Sequence, residues 1–230
     1  MRRSTRPRTR NARASGFTLI EAALATVIVG VGVLAMVDAQ QAFIKTNTWS
    51  SHAASGTFLA NEIREMTRNM PKHDPVVGLS LDDDGGGGTV LAGWGPNAAE
   101  FGLEDFDDVD DFDGITFSFT GTAGFDDGDL PGPVNAFAEV VPQIDVNGSI
   151  VMDGGVEVPM DGWRQLVIVE KVDPFDTSVI RADDYVEPAA GDFEGLDAGD
   201  FPLRVTVIVT YQRPGSLDAD EVARVSWIVP

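Results

Sequence analysis

The chain has 230 residues, enough for one membrane helix and one globular domain, and sets 37 acidic side chains against 16 basic ones, a net charge of −21. That excess of acid excludes nucleic-acid binding by the globular part, because phosphate neutralisation needs lysine and arginine; it favours solubility, cation binding or a saline surrounding. There is no cysteine, which excludes disulfides and thiolate metal sites.

Residues 1–16 contain Arg2, Arg3, Arg6, Arg8, Arg10 and Arg13 and no acid, and they read as a basic leader. Without it, ten basic residues face 37 acidic ones, a net charge of −27. Residues 17–37 are an apolar run, long enough to cross a bilayer as a helix of about 20 residues. The arginines ahead of it hold the N-terminus in the cytoplasm and send the C-terminal part across the membrane. Only Glu21 interrupts the run. A carboxylate in hydrocarbon costs roughly 2.5–3.5 kcal/mol, so it asks for a partner.

The motif Gly16-Phe17-Thr18-Leu19-Ile20-Glu21, between a basic leader and an apolar run, resembles the type IV prepilin motif of pilins, minor pilins and type II secretion pseudopilins. The resemblance implies that a prepilin peptidase cuts after Gly16 and methylates the new amine of Phe17. It also implies that Glu21 neutralises the amine of a neighbouring subunit during filament assembly. The physics is consistent: an ammonium and a carboxylate in lipid both lack water, and pairing relieves both. An ordinary secretory signal would instead be cut near Val37-Asp38-Ala39 and leave a soluble protein starting at Gln40. A plain membrane anchor would have no assembly role. Neither accounts for Glu21. Arg2-Arg3 hints at a twin-arginine signal, but the residues after the pair are polar.

From Ala39 onward, Ala42, Phe43, Thr46, Trp49, Ala53, Gly56, Leu59, Ala60, Ile63, Met66 and Met70 recur in steps of three and four. That spacing predicts an amphipathic continuation of the helix over 38–70, ended by Pro71 and Pro75. The whole helix would be roughly 80 Å long at about 1.5 Å per residue. Gly30 and Gly32 serve either close helix–helix packing or a segment that extends on assembly. Residues 71–114 read as loop-rich. Residues 82–88, three aspartates and four glycines, read as a flexible acidic loop, with Trp94 and Phe101 pinning its flanks. In the segment from Phe106 to Gly114, aspartates alternate with Phe106, Val109 and Phe112 at helical spacing.

Strand patterns follow at 115–120, 137–144 despite Pro142, 163–172, 203–212 and 222–229. A turn at 213–216, with residues 217–221, links the last two as an antiparallel pair. The acidic insert 173–200 reads as a long surface loop. The predicted class is α+β, a long N-terminal helix, transmembrane in its first half, packed on an antiparallel sheet. This is also the pilin architecture, with a globular domain at 71–230. The acidic Phe106 segment, the Trp-initiated strand and the strand with Arg204-Val205-Thr206-Val207 resemble MshD- and PilV-like minor pilins. Many pilins staple a C-terminal loop with a disulfide; this chain has none, so something else must hold that region.

An EF-hand pattern fails in the acidic segment, because Phe112 and Asp113 fall where Asp and Gly are needed when counting from Asp108. A looser calcium site from Asp107, Asp108, Asp110, Asp111 and Asp113 competes with an acidic surface turn whose apolar residues pack inward. Asp126, Asp127, Asp129, Asp183 and Asp184 read as solvated loop charge. His52 and His73 fall on or just after the helix, away from a cleft. No catalytic triad, phosphate loop or dinucleotide motif is present, so no enzyme activity and no other cofactor are expected. The expected function is a minor pilin-like subunit: inserted in the inner membrane, its C-terminal domain in the periplasm, then assembled with other pilin or pseudopilin subunits in a filament. The alternatives are a type II secretion pseudopilin and a calcium-dependent adhesive domain at a pilus tip.

Overall fold

A computed structural model describes residues 17–97, 100, 102–122 and 128–230. The leader, Gly16, Phe101, Asp126 and Asp127 lie outside the described residues. Helix α1 runs Leu19–Thr67. It stops three residues before the predicted end, followed by Pro71 and Pro75, which cannot continue it. The chain divides into two compact units, Met1–Thr48 and Trp49–Pro230.

In the first unit the helix is long and apolar enough to cross a membrane. Its large apolar side chains, among them Leu24, Val27, Ile28 and Leu34, are all exposed. The predicted amphipathic stripe is only partly used. Phe43 and Trp49 are 73% and 53% exposed, and full burial begins at Gly56.

In the second unit β3 (Thr116–Ser118), β4 (Asp129–Pro131), β7 (Trp163–Lys171), β8 (Leu203–Gln212) and β9 (Ala219–Val229) form a mixed five-stranded sheet. Its order is β4-β3-β7-β8-β9 among the described residues. Strands β7, β8 and β9 form an antiparallel meander. The sheet is antiparallel as expected except at one edge, where β4 lies parallel to β3. Residues 137–144 form no strand. Pro142 supplies no ladder donor, and a turn at 135–139, with Ala138 at φ 63°, folds the segment into isolated bridges. Strand β9 starts three residues earlier than predicted.

Residues 82–88 are the tip of a hairpin of β1 (Ser80–Asp83) and β2 (Thr89–Ala92), not a free loop. Asp84 caps the tip by accepting the Gly86 and Gly88 amides at 2.7 and 2.9 Å. A smaller hairpin pairs β5 (Met152–Asp153) with β6 (Val156–Glu157).

Alternation in β7 and β8 sends Trp163, Val167, Val169, Leu203, Val205, Val207 and Val209 to one face, as period two requires. Leu59, Ala60 and Ile63 of α1 join them in the core, with Phe106, Val109, Phe112 and Phe117. Gly56 allows close approach: a Cβ there would meet Val222 Cγ2 at 2.8 Å and Ala223 Cβ at 3.1 Å. Gln165 is buried on the same face. Its Nε2 donates to the Leu59 carbonyl at 2.8 Å and the Val134 carbonyl at 3.1 Å, and its Oε1 accepts the Val134 amide at 2.7 Å.

The acidic insert after β7 is held without a disulfide. Buried Lys171 donates to the Asp183 and Tyr185 carbonyls and lies over the Phe201 ring. Arg204 pairs with Glu170 at 2.8 Å and reaches the Thr177 carbonyl. Arg181 pairs with Asp173 at 2.6 Å.

Candidate functional site

Two groups of residues carry chemistry. The first is the N-terminal motif. Thr18 precedes the first helical residue, and Glu21 is the third residue of the helix. The Thr18 amide and hydroxyl donate to Glu21 Oε2 at 2.9 and 2.8 Å, and the Glu21 amide donates to Thr18 Oγ1 at 3.3 Å. This is a reciprocal capping box, which satisfies two of the amides that a helix start leaves unpaired. Its signature, Thr-x-x-Glu before an apolar run, is plain in the sequence. Phe17 is exposed ahead of the helix.

The second group is the acidic segment. Phe106, Val109 and Phe112 pack inward as predicted, with Phe106 and Phe112 edge to face at 4.9 Å. The surface-turn expectation fails for three aspartates, because Asp108, Asp110 and Asp111 are at most 2% exposed. The backbone explains how they go in. Asp108 Oδ1 accepts the Asp110 and Asp111 amides at 2.9 and 3.2 Å, and Asp111 Oδ2 accepts the Asp107 and Asp108 amides at 3.1 and 3.2 Å. These bonds fold residues 107–111 into a tight knot that runs into a 3-10 turn, Asp110–Phe112. The segment after α1 docks on the knot, as Val109 and Asp110 donate backbone bonds to the Pro71 and Lys72 carbonyls.

That docking brings His73 in. Its Nδ1 forms a short contact with Asp110 Oδ2, and Asp110 Oδ1 accepts the Gly95 amide at 3.1 Å. His73 Nε2 is buried without a partner among the described residues. No local sequence signal pairs His73 with Asp110, which lies 37 positions away. Burial keeps the group poor in charge. Asp108 is pushed up to about 8, by burial and then by Asp110; Asp110 and Asp111 rise to about 7, again mainly by burial. His73 falls to about 4 because it is buried and faces Lys72. Burial thus disfavours the charged form of both the imidazole and the carboxyl.

Carboxylate oxygens of Asp108, Asp110 and Asp111 lie within 4.8 Å of one another, and so do those of Glu100, Asp107 and Asp111. Asp107, which is exposed, therefore belongs to a second cluster sharing only Asp111. Asp113 turns away and accepts the Val169 amide at 2.8 Å, tying the knot to β7. His52 also has a structural place, with its ring 4.3 Å from Tyr211 and 5.7 Å from Trp163. Three carboxylates at this spacing offer oxygen donors of the kind a hard cation takes. The chain matches no protein-family model, no curated protein and no solved structure.

Proposed function

We propose that this chain is a type IV pilin-like subunit of the minor kind. It is cut after Gly16 and methylated on Phe17 by a prepilin peptidase, held in the inner membrane by residues 17–37, and assembled through its N-terminal helix. The observation that carries the reading is the hexapeptide from Gly16 to Glu21 in the sequence, just ahead of and into a 49-residue helix whose apolar start is exposed among the described residues. In lipid the Glu21 carboxylate keeps its bonds to Thr18, and an amine of a second subunit is the cation that would complete its pairing. A type II secretion pseudopilin shares every one of these features.

The test has two parts. Mass spectrometry of the mature protein should find a methylated Phe17 N-terminus; peptides beginning at Gln40 would establish a secretory signal instead. Glu21→Ala should leave membrane insertion and cleavage intact and deplete the subunit from sheared filaments. Equal recovery of the variant and the parent protein in the sheared fraction would reduce the segment to a simple anchor.

A calcium-dependent adhesive domain is the second reading. Burial favours the neutral forms of Asp108, Asp110 and Asp111, and their spacing admits one ion. If calcium is that ion, millimolar calcium raises the melting temperature, since a ligand of the native state stabilises it, and Asp108→Asn removes the gain.

A further inference from the structure

The last strand ends the sheet. β9 pairs with β8 on one side only, and no backbone bond joins its other side to any described residue. The register with β8 shifts once, between Val209 and Thr210, where the β9 partner jumps from Ala223 to Glu221 and leaves Val222 as a bulge. Val222 turns inward against Gly56. Beyond it residues 223–229 keep one unbroken register. Among them Arg224 is the only charge, in a chain that is otherwise strongly acidic. The stretch alternates cleanly: Val225, Trp227 and Val229 face the core, and Arg224, Ser226 and Ile228 are exposed on the opposite face.

Proteins protect open edges with charge, proline or bulges, because an unpaired row of amides and carbonyls templates another strand. Here the bulge and the acids Asp218, Asp220 and Glu221 protect the beginning of the strand, and beyond it the one charge, Arg224, is paired with Glu221 at 2.9 Å. We infer that the open edge of β9 binds a second copy of this chain, β9 against β9, antiparallel about a two-fold axis at Ser226.

Charge selects the direction. A parallel pair would set the two acidic beginnings side by side, whereas an antiparallel pair sets them at opposite ends. Proline selects the register. Centring on Ser226 pairs all seven residues, whereas centring on Trp227 puts Arg224 opposite Pro230, which has no amide to donate. In the chosen register Val225 meets the second copy's Trp227, an aromatic–β-branched pair of the favourable kind. Ala223 meets Val229, Arg224 meets Ile228, and no like charges are opposed. The contact is isologous and closed, and it does not depend on the filament reading.

The test uses the full chain in its membrane. With no native cysteine, Ser226→Cys introduces a single thiol. Two such residues face each other on the axis, at the separation of about 4.5–5.5 Å found between opposite strand residues, within disulfide range. Mild oxidation should give a linked species of twice the chain mass. Arg224→Cys, on the same exposed face, should give none, because its two copies stand about 14 Å apart along the strands. Adding Ile228→Lys to Ser226→Cys should cut the linked dimer several-fold by facing Arg224 of the second copy, while Ile228→Glu should retain it. The inference is overturned by the absence of a Ser226→Cys dimer or by equal linking through Arg224→Cys. A linked product of another mass, or equal behaviour of the Lys and Glu variants, would overturn it too.

Discussion

Asp108, Asp110 and Asp111 take up protons in the fold at a pH where the unfolded chain has lost them. Their ordinary value is 3.8, and burial lifts them to about 8, 7 and 7. Between roughly pH 4 and pH 7–8 the native state therefore binds more protons than the unfolded one, and stability falls as pH rises. Each carboxyl contributes up to about 1.4 kcal/mol per pH unit. His73 acts in the opposite sense between its ordinary 6.5 and its folded value of about 4: there the unfolded chain binds the extra proton, and stability rises with pH. Three carboxyls outweigh one imidazole, so in chelator the melting temperature should be higher at pH 5 than at pH 8. Asp108→Asn should flatten the slope. A melting temperature that climbs steadily from pH 5 to pH 8 in chelator would mean that the three carboxyls are ionised in the fold.

At the scale of elements, α1 meets the sheet through two devices. Gly56 lets the helix approach Val222 and Ala223, and Gln165 ties the helix to the Val134 segment. Gly56→Val should cost about 1–3 kcal/mol through overpacking, although valine is the better helix former. Gln165→Leu keeps the volume but leaves the buried Val134 amide and carbonyl without partners, which should cost about 2–4 kcal/mol. Urea unfolding with an unchanged m-value checks both. A Gln165→Leu protein as stable as its parent would show that water or a shifted backbone takes over the bonds.

For the whole molecule, the buried residues that α1 gives to the core begin at Gly56, with His52 against Trp163 and Tyr211 one turn earlier, and all of them lie within the unit Trp49–Pro230. A protein beginning at Trp49 should therefore be soluble and melt cooperatively. Reductant should leave its melting temperature unchanged, since there is no disulfide to lose. A non-cooperative melt would mean that residues before Trp49 complete the core. The acidic insert rests on Lys171 and Arg204, so Lys171→Met should loosen residues 173–200, read as faster amide exchange there.

What the sequence determined is what depends on neighbours along the chain. The apolar run and its single carboxylate, the proline-terminated helix, and the alternation in β7, β8 and β9 were legible because period and composition are local properties. The capping box is equally local, since Thr18 and Glu21 stand three positions apart. Tertiary structure decided the rest. A row of aspartates has the same composition whether it is solvated or buried, and only the docking of residues 71–73 on the turn at 108–112 puts Asp110 against His73. The parallel pairing of β4 with β3 depends on which edge a short strand reaches, and a three-residue strand carries too little pattern to specify that. The open edge of β9 is likewise a property of strand order: the residues 223–229 read the same in a central strand, and only their place at the end of the sheet leaves their backbone free to pair.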